Sequence, residues 1–275
     1  MNNWLKFGSG KVENTQGISI WTKMASLNVV TLLLCLGLVV LVNSYPLLYK
    51  HENQWTKLIL THLWPKTLCT MEEVSCQTAD KFNYWTLHGL WPDKGQSCNR
   101  SWHFNVNDIK DLLPEMENWW PDLLHPGSNQ FWKHEWEKHG TCAAVAESLN
   151  SENKYFAKAL DLYKNVGLDS ILKKFNIVPS SKYYRLDDIR NSIGSFYKVK
   201  PKIQCVSPSQ GEEVQTLGQI EICFDKEYQL IDCVEYEEEL FNSTDDFAFE
   251  SAVPSDFSVC DESMPVYYPP VHDEY

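Results

Sequence analysis

A chain of 275 residues with 43% hydrophobic and 22% charged content is long and apolar enough to bury a core, which excludes a disordered tail. Lys and Arg total 24 against 37 Asp and Glu, and the formal charge of −13 argues against a protein that coats nucleic acid with a broad basic surface. Nine Cys, eight of them after residue 60, point to an oxidising compartment.

The first organised feature is the apolar run Leu27–Val42 behind Lys23, sixteen residues that fall short of a comfortable membrane span. The small-residue ending Val42-Asn43-Ser44 fits signal-peptide cleavage after Ser44, with residues 1–23 as a polar extension and Met24 as an alternative start. Cys35 leaves with the signal, so residues 45–275 keep an even number of Cys. Sequons at Asn99 and Asn242 strengthen a secretory-pathway expectation and are candidate glycosylation sites. Removing residues 1–44 takes away Lys6, Lys11, Lys23 and Glu13 and leaves −15, most of it from Asp232 to Tyr275, where there are 13 carboxylates and no Lys or Arg.

Residues 45–275 contain no internal repeat or linker and read as one domain. In chain order, strand-like runs cover Leu58–Trp64 and Tyr84–Leu90. Helical periodicity follows at Val106–Leu113, around Phe131–Cys142, at Glu152–Val166, Asp169–Phe175 and Leu186–Tyr197. Ser151 and Gly167 suit the ends of the third of these helices. Strands return at Lys202–Val206, Thr216–Phe224 and Tyr228–Cys233. Strands at both ends and helices between predict an α+β fold, with helices on an antiparallel sheet. Cys223 and Cys233 flank a hairpin, and a bridge between them is the simplest pairing; Cys69 and Cys76 are close enough to close a small loop.

Two clusters carry chemistry. In Trp85-Thr86-Leu87-His88-Gly89-Leu90-Trp91-Pro92-Asp93, strand alternation sends Thr86, His88 and Leu90 to one face and Trp85, Leu87 and Trp91 to the other. By itself a strand histidine is as readily a satisfied core group. The second cluster is Phe131-Trp132-Lys133-His134-Glu135-Trp136-Glu137-Lys138-His139-Gly140-Thr141-Cys142. At 100° per residue, Phe131, His134, Glu135, Lys138 and His139 fall within one arc, beside an apolar side of Trp132 and Trp136. A zinc site would place its two His at i and i+4; the i, i+5 spacing here makes the two vectors diverge, and Lys138 adds a positive charge, so no metal or other cofactor is expected. Two imidazoles, an acid and an ammonium suit phosphoryl transfer without metal: base, acid and charge stabiliser. An aromatic neighbour can stack a base, and an RNA 2′-hydroxyl is an internal nucleophile beside its own phosphate.

The segments Leu87-His88-Gly89-Leu90-Trp91-Pro92 and His134–Cys142 resemble the two active-site segments of the ribonuclease T2 family. The likeness extends over Asp111–Met116, Pro201–Cys205 and Gly218–Cys223, which look like the animal members. The resemblance implies an α+β fold and cleavage of single-stranded RNA through a 2′,3′-cyclic phosphate to a 3′-phosphate, by a monomer, secreted or in the lysosome. It also implies His88 and His139 as the acid–base pair, Glu135 in support, His134 and Lys138 on phosphate and transition state, and Trp91, Asp93 and Phe131 on a base. The implied bridges are Cys69–Cys76, Cys98–Cys142, Cys205–Cys260 and Cys223–Cys233. His62 departs from the pattern, since related chains often have Gln-x-Trp-Pro there. A binding glycoprotein with a vestigial cleft is the competing class, disfavoured because His88, Glu135, Lys138 and His139 are retained together.

Overall fold

Two strands buried on both faces form the centre of the structure, a computed structural model that describes residues 55–71, 81–208, 211, 213–233 and 257–271. These belong to a unit that begins at Gln54. The expected signal segment, Cys76 and Asn242 lie outside the described residues. Strand β1 (Leu58–Leu63) pairs antiparallel with β2 (Thr86–Pro92) on one side and with β5 (Gln215–Phe224) on the other. Between them in the chain lie the short β3 (Tyr183–Tyr184) and β4 (Lys202–Val206), and after them β6 (Leu230–Ile231), β7 (Phe257–Val259) and β8 (Val266–Tyr267). The main path runs β2-β1-β5-β4-β7. Every pairing is antiparallel except β5 with β8, so the predicted antiparallel sheet is a mixed one by a single short contact.

The helices are α1 (Pro65–Met71), α2 (Leu113–Trp119), α3 (Gln130–Ala143), α4 (Glu152–Val166), α5 (Leu168–Lys174) and α6 (Leu186–Tyr197). The long amphipathic ones, α4 and α6, fall where the period placed them. Ser151 Oγ caps α4 by accepting from Lys154 N, and Gly167 ends it in the left-handed conformation. Helix α4 buries Tyr155, Phe156, Ala159, Leu160 and Tyr163 against the sheet. Its tyrosine hydroxyls donate to strand carbonyls, Tyr155 to Leu90 and Tyr163 to Trp85. The expected helix over Val106–Leu113 is instead a 3₁₀ turn at Val106–Ile109 followed by α2, which starts afresh because Pro114 fits a first helical turn and not an interior. The hairpin strand over Tyr228–Cys233 shrinks to Leu230–Ile231, since Tyr228 (φ 61°) belongs to a turn held by the Asp225 carboxylate.

Bridges Cys98–Cys142, Cys205–Cys260 and Cys223–Cys233 are formed. Cys69 is also disulfide-bonded, while its expected partner Cys76 is outside the described residues. Among the described residues no helix is long and apolar enough to cross a membrane.

Candidate active site

Two local irregularities build the site, and both overturn a detail of the periodicity. The first is in β2. Thr61 of β1 pairs with Gly89 and His62 pairs with Leu87, so His88 is one residue too many and bulges out of the ladder. A bulge re-aims a side chain. Strict alternation separates His88 from Trp91, whereas in the structure their rings meet edge to face at 4.8 Å between centroids. The bulged backbone is held by Trp120 Nε1, which donates to the His88 carbonyl at 2.7 Å, and Trp132 of α3 donates in turn to the Trp120 carbonyl.

The second is in α3, which is α-helical over Gln130–Glu135, winds through a π turn at Trp136–Gly140 and ends as an α turn at Thr141–Ala143. A π turn takes one more residue per turn, so five residues bring His139 back over His134. Their ring centroids are 6.5 Å apart, and donor atoms of His134, Glu135 and His139 lie within 4.8 Å of one another. The divergence expected from the i, i+5 spacing is therefore absent, and the spacing argument against a metal fails. The charge argument stands: the Lys138 ammonium acts on both imidazoles and lowers their proton affinity, and a dication placed among them would meet the same repulsion. Gly140 makes the turn possible, because a Cβ there would lie 2.2 Å from the Trp136 ring.

These irregularities bring one group of side chains together. His139 stacks on Trp91 (5.2 Å, 28°), and His88 lies tilted against Phe131 at 5.8 Å. Trp91 Nε1 donates to Glu135 Oε2 at 2.8 Å. That bond occupies the space above Gly89, where a Cβ would come within 2.4 Å of the carboxylate. His88, Glu135, His139 and Phe131 are buried, whereas His134, Lys138 and Trp91 are half-buried. Asp93 stands apart: its carboxylate accepts from Thr56 N, Thr56 Oγ1 and Lys57 N, which ties down the start of β1. Bridge Cys98–Cys142 joins the loop after β2 to the end of α3, and Ser97 N donates to Lys138 O beside it. Asn99 is exposed, with Oδ1 accepting from Ser101 N and Oγ.

Burial sets the charge state. It lowers the His88 pKa to about 3, aided by His134 and Lys138, and that of His134 to about 4, aided by Lys138. His139 is held well below the usual imidazole range by burial, with Lys138, His134 and His88 adding to the effect. Burial raises Glu135 to about 8, against the hydrogen bond from Trp91 and the charge of Lys138. At neutral pH the three imidazoles are neutral and Glu135 is a carboxylic acid. A carboxylate in water would be ionised at this pH and would raise the pKa values of neighbouring imidazoles; removal from water outweighs that here.

Sequence reasoning passes over Gln219 and Trp120. Gln219 Nε2 lies 3.0 Å from His88 Nδ1, in the buried strand β5. The available signal was the alternation of Gln219 and Glu221 within that buried strand.

The sequence model of the Ribonuclease T2 family matches residues 55–233. Ribonuclease T2 of Danio rerio is 59% identical over 220 residues, covering 80% of this chain and 90% of that protein. Ribonuclease T2 of Homo sapiens is 47% identical over 241 residues, covering 86% and 93%. The crystal structure of human RNase T2 superposes with a TM-score of 0.66 at 46% identity, over 78% of this chain and 99% of that one. A bitter gourd seed ribonuclease gives a TM-score of 0.60 at 26% identity, over 66% and 95%. The chain belongs to the ribonuclease T2 family.

Proposed function

We propose that this chain, an endoribonuclease by family, cleaves single-stranded RNA without metal, first by transphosphorylation to a 2′,3′-cyclic phosphate and then by hydrolysis to a 3′-phosphate. The observation that carries this reading is the packing of two catalytic-type imidazoles, His88 and His139, on the same Trp91 ring, with Lys138 beside them. In the first step His139 removes the 2′-hydroxyl proton and the oxygen attacks the adjacent phosphorus. His88 delivers a proton to the departing 5′-oxygen. In the second step the roles reverse, with His88 taking a proton from water and His139 protonating the 2′-oxygen. Lys138 and His134 meet the non-bridging oxygens, where negative charge grows. Glu135, protonated, donates a hydrogen bond to the same oxygens while Trp91 holds its other oxygen.

A low proton affinity in the free enzyme leaves the donor imidazole empty at neutral pH. A bound phosphate supplies the missing negative charge, and mildly acidic solution supplies the proton. An acidic optimum follows, with kcat/KM falling as pH rises beyond the range in which His88 can be charged. Such conditions fit a lysosomal site of action, and the disulfides suit the secretory pathway, lysosomal or extracellular alike. The half-buried Trp91 offers surface to a base, backed by the buried Phe131 against His88, while Asp93 contributes by fixing the strand end beside Trp91. The enzyme acts as a monomer, released from the membrane after signal cleavage and glycosylated at Asn99.

The test is incubation of the purified protein with RNA in excess EDTA. Undiminished cleavage with cyclic phosphate appearing before 3′-phosphate is the expected result. Loss of activity restored by a divalent ion, or 5′-phosphate products, would contradict it.

A further inference from the structure

We propose that Gln219 is the positioning residue for His88: its side-chain amide fixes the tautomer that presents Nε2–H to the cleft and turns over to accept from Nδ1–H when the ring is charged. The inference deepens the reading of His88 as a proton donor and rests on it.

His88 needs such a partner because it is the bulge residue. It has no opposite residue on β1, so the ladder fixes its backbone neighbours and leaves its ring to side-chain contacts. Trp91 and Phe131 pack against the ring but cannot distinguish one nitrogen from the other. Gln219 can. It is 3% exposed, sits on β5 between Leu63 of β1 and Gln204 of β4, and brings Nε2 to 3.0 Å from His88 Nδ1. An amide N–H donates, so Nδ1 is the accepting nitrogen and the imidazole proton resides on Nε2.

An amide is better suited than a carboxylate to a residue that must gain and lose a proton each cycle. A carboxylate on Nδ1 favours the charged ring throughout and resists its deprotonation. An amide offers its N–H to the resting Nε2–H ring and, after a half-turn, its oxygen to the charged ring and to the Nδ1–H ring that remains once Nε2 has delivered its proton, so that Nε2 is free to take one back from water. The other groups facing His88 do not offer this choice. From α3 it meets His134, Lys138 and His139, with Glu135 bonded to Trp91. Glu221, two residues beyond Gln219 on β5, is paired with Lys202 of β4.

The test combines nitrogen NMR of the His88 ring in the full chain with kinetics on a dinucleotide. The wild-type ring is expected as the Nε2–H tautomer. Gln219→Met, similar in size with no donor, should give a mixture of tautomers and lower kcat roughly 10- to 100-fold with little change in KM. Gln219→Glu should move the alkaline limb of the pH–rate profile upward. A wild-type Nδ1–H tautomer overturns the proposal. So do folded variants that lose thermal stability while tautomer and pH limbs stay put, the result expected of mere packing. The tautomer is read without turnover, so an active His88→Ala enzyme would sink the acid–base reading separately.

Discussion

Glu135 receives the indole N–H of Trp91 at 2.8 Å, in a space kept open by the missing side chain of Gly89. The bond holds the carboxyl group at the centre of the site, and burial keeps it protonated to about pH 8. A neutral isostere should therefore serve nearly as well. Glu135→Gln is expected to stay within about tenfold of wild-type kcat, whereas Glu135→Ala should lose roughly 100-fold or more, as for removal of one transition-state donor. Steady-state kinetics at pH 5 distinguishes them. Equal, large losses in both would mean that the carboxylate form is the working one.

His62 should act as an acid-sensitive point of the fold. It is fully buried, its Nδ1–H donates to Ile220 O at 3.2 Å, and burial lowers its pKa to about 4, against the backbone hydrogen bonds that favour the charged ring. The unfolded chain binds a proton near the ordinary pH ~6.5 and the folded chain only near 4, so stability drains away as pH falls across that interval and levels off below it. The interval corresponds to about 3 kcal/mol at most. His62→Gln keeps a donor for Ile220 and removes the titration. Denaturant unfolding from pH 7 to 4 should show the variant gaining on wild type by roughly 2–3 kcal/mol. A constant difference across that range would refute the assignment.

The Cys98–Cys142 bridge closes a loop between the two catalytic segments, with a sequence separation of 44. In the loop-entropy account a loop of that length is worth about 4 kcal/mol. Cys98→Ser/Cys142→Ser should lower stability by roughly that amount, and activity should fall further than the folded fraction does, because Ser97 N no longer holds the Lys138 carbonyl in place. Comparing active-site titration with circular dichroism separates these effects. Activity that merely tracks the folded fraction would limit the bridge to stability.

Periodicity located α4 and α6 to the residue, since both are long and amphipathic, and Ser151 and Gly167 also mark the ends of α4. It grouped Glu135 and His139 on one helix face, whereas only the family resemblance joined His88 to them. It could not set their geometry. The His88 bulge and the Trp136–Gly140 π turn each insert one residue into a regular element, and an inserted residue leaves the hydrophobic pattern on either side intact. The faces assigned to His88 and Trp91 and the divergence of His134 from His139 were wrong for that reason. The charge of Glu135 was illegible because it depends on burial in the folded site, set against the hydrogen bond from Trp91 on another element. Gln219 reaches His88 across a sequence separation of 131, and no local pattern reports such a contact.

The assignment of His88 as acid and His139 as base in the first step is tested most directly by changing the leaving group. The aryloxide of a uridine 3′-aryl phosphate departs without needing a proton, whereas the 5′-oxygen of a dinucleotide would depart as an alkoxide and needs one. His88→Ala and His139→Ala are each assayed on both substrates, as kcat/KM relative to wild type. The account predicts that His88→Ala loses roughly 10²–10⁴-fold on the dinucleotide and recovers most of that on the aryl ester, while His139→Ala stays impaired on both. Recovery by His139→Ala instead, or equal losses on both substrates in both variants, would contradict it.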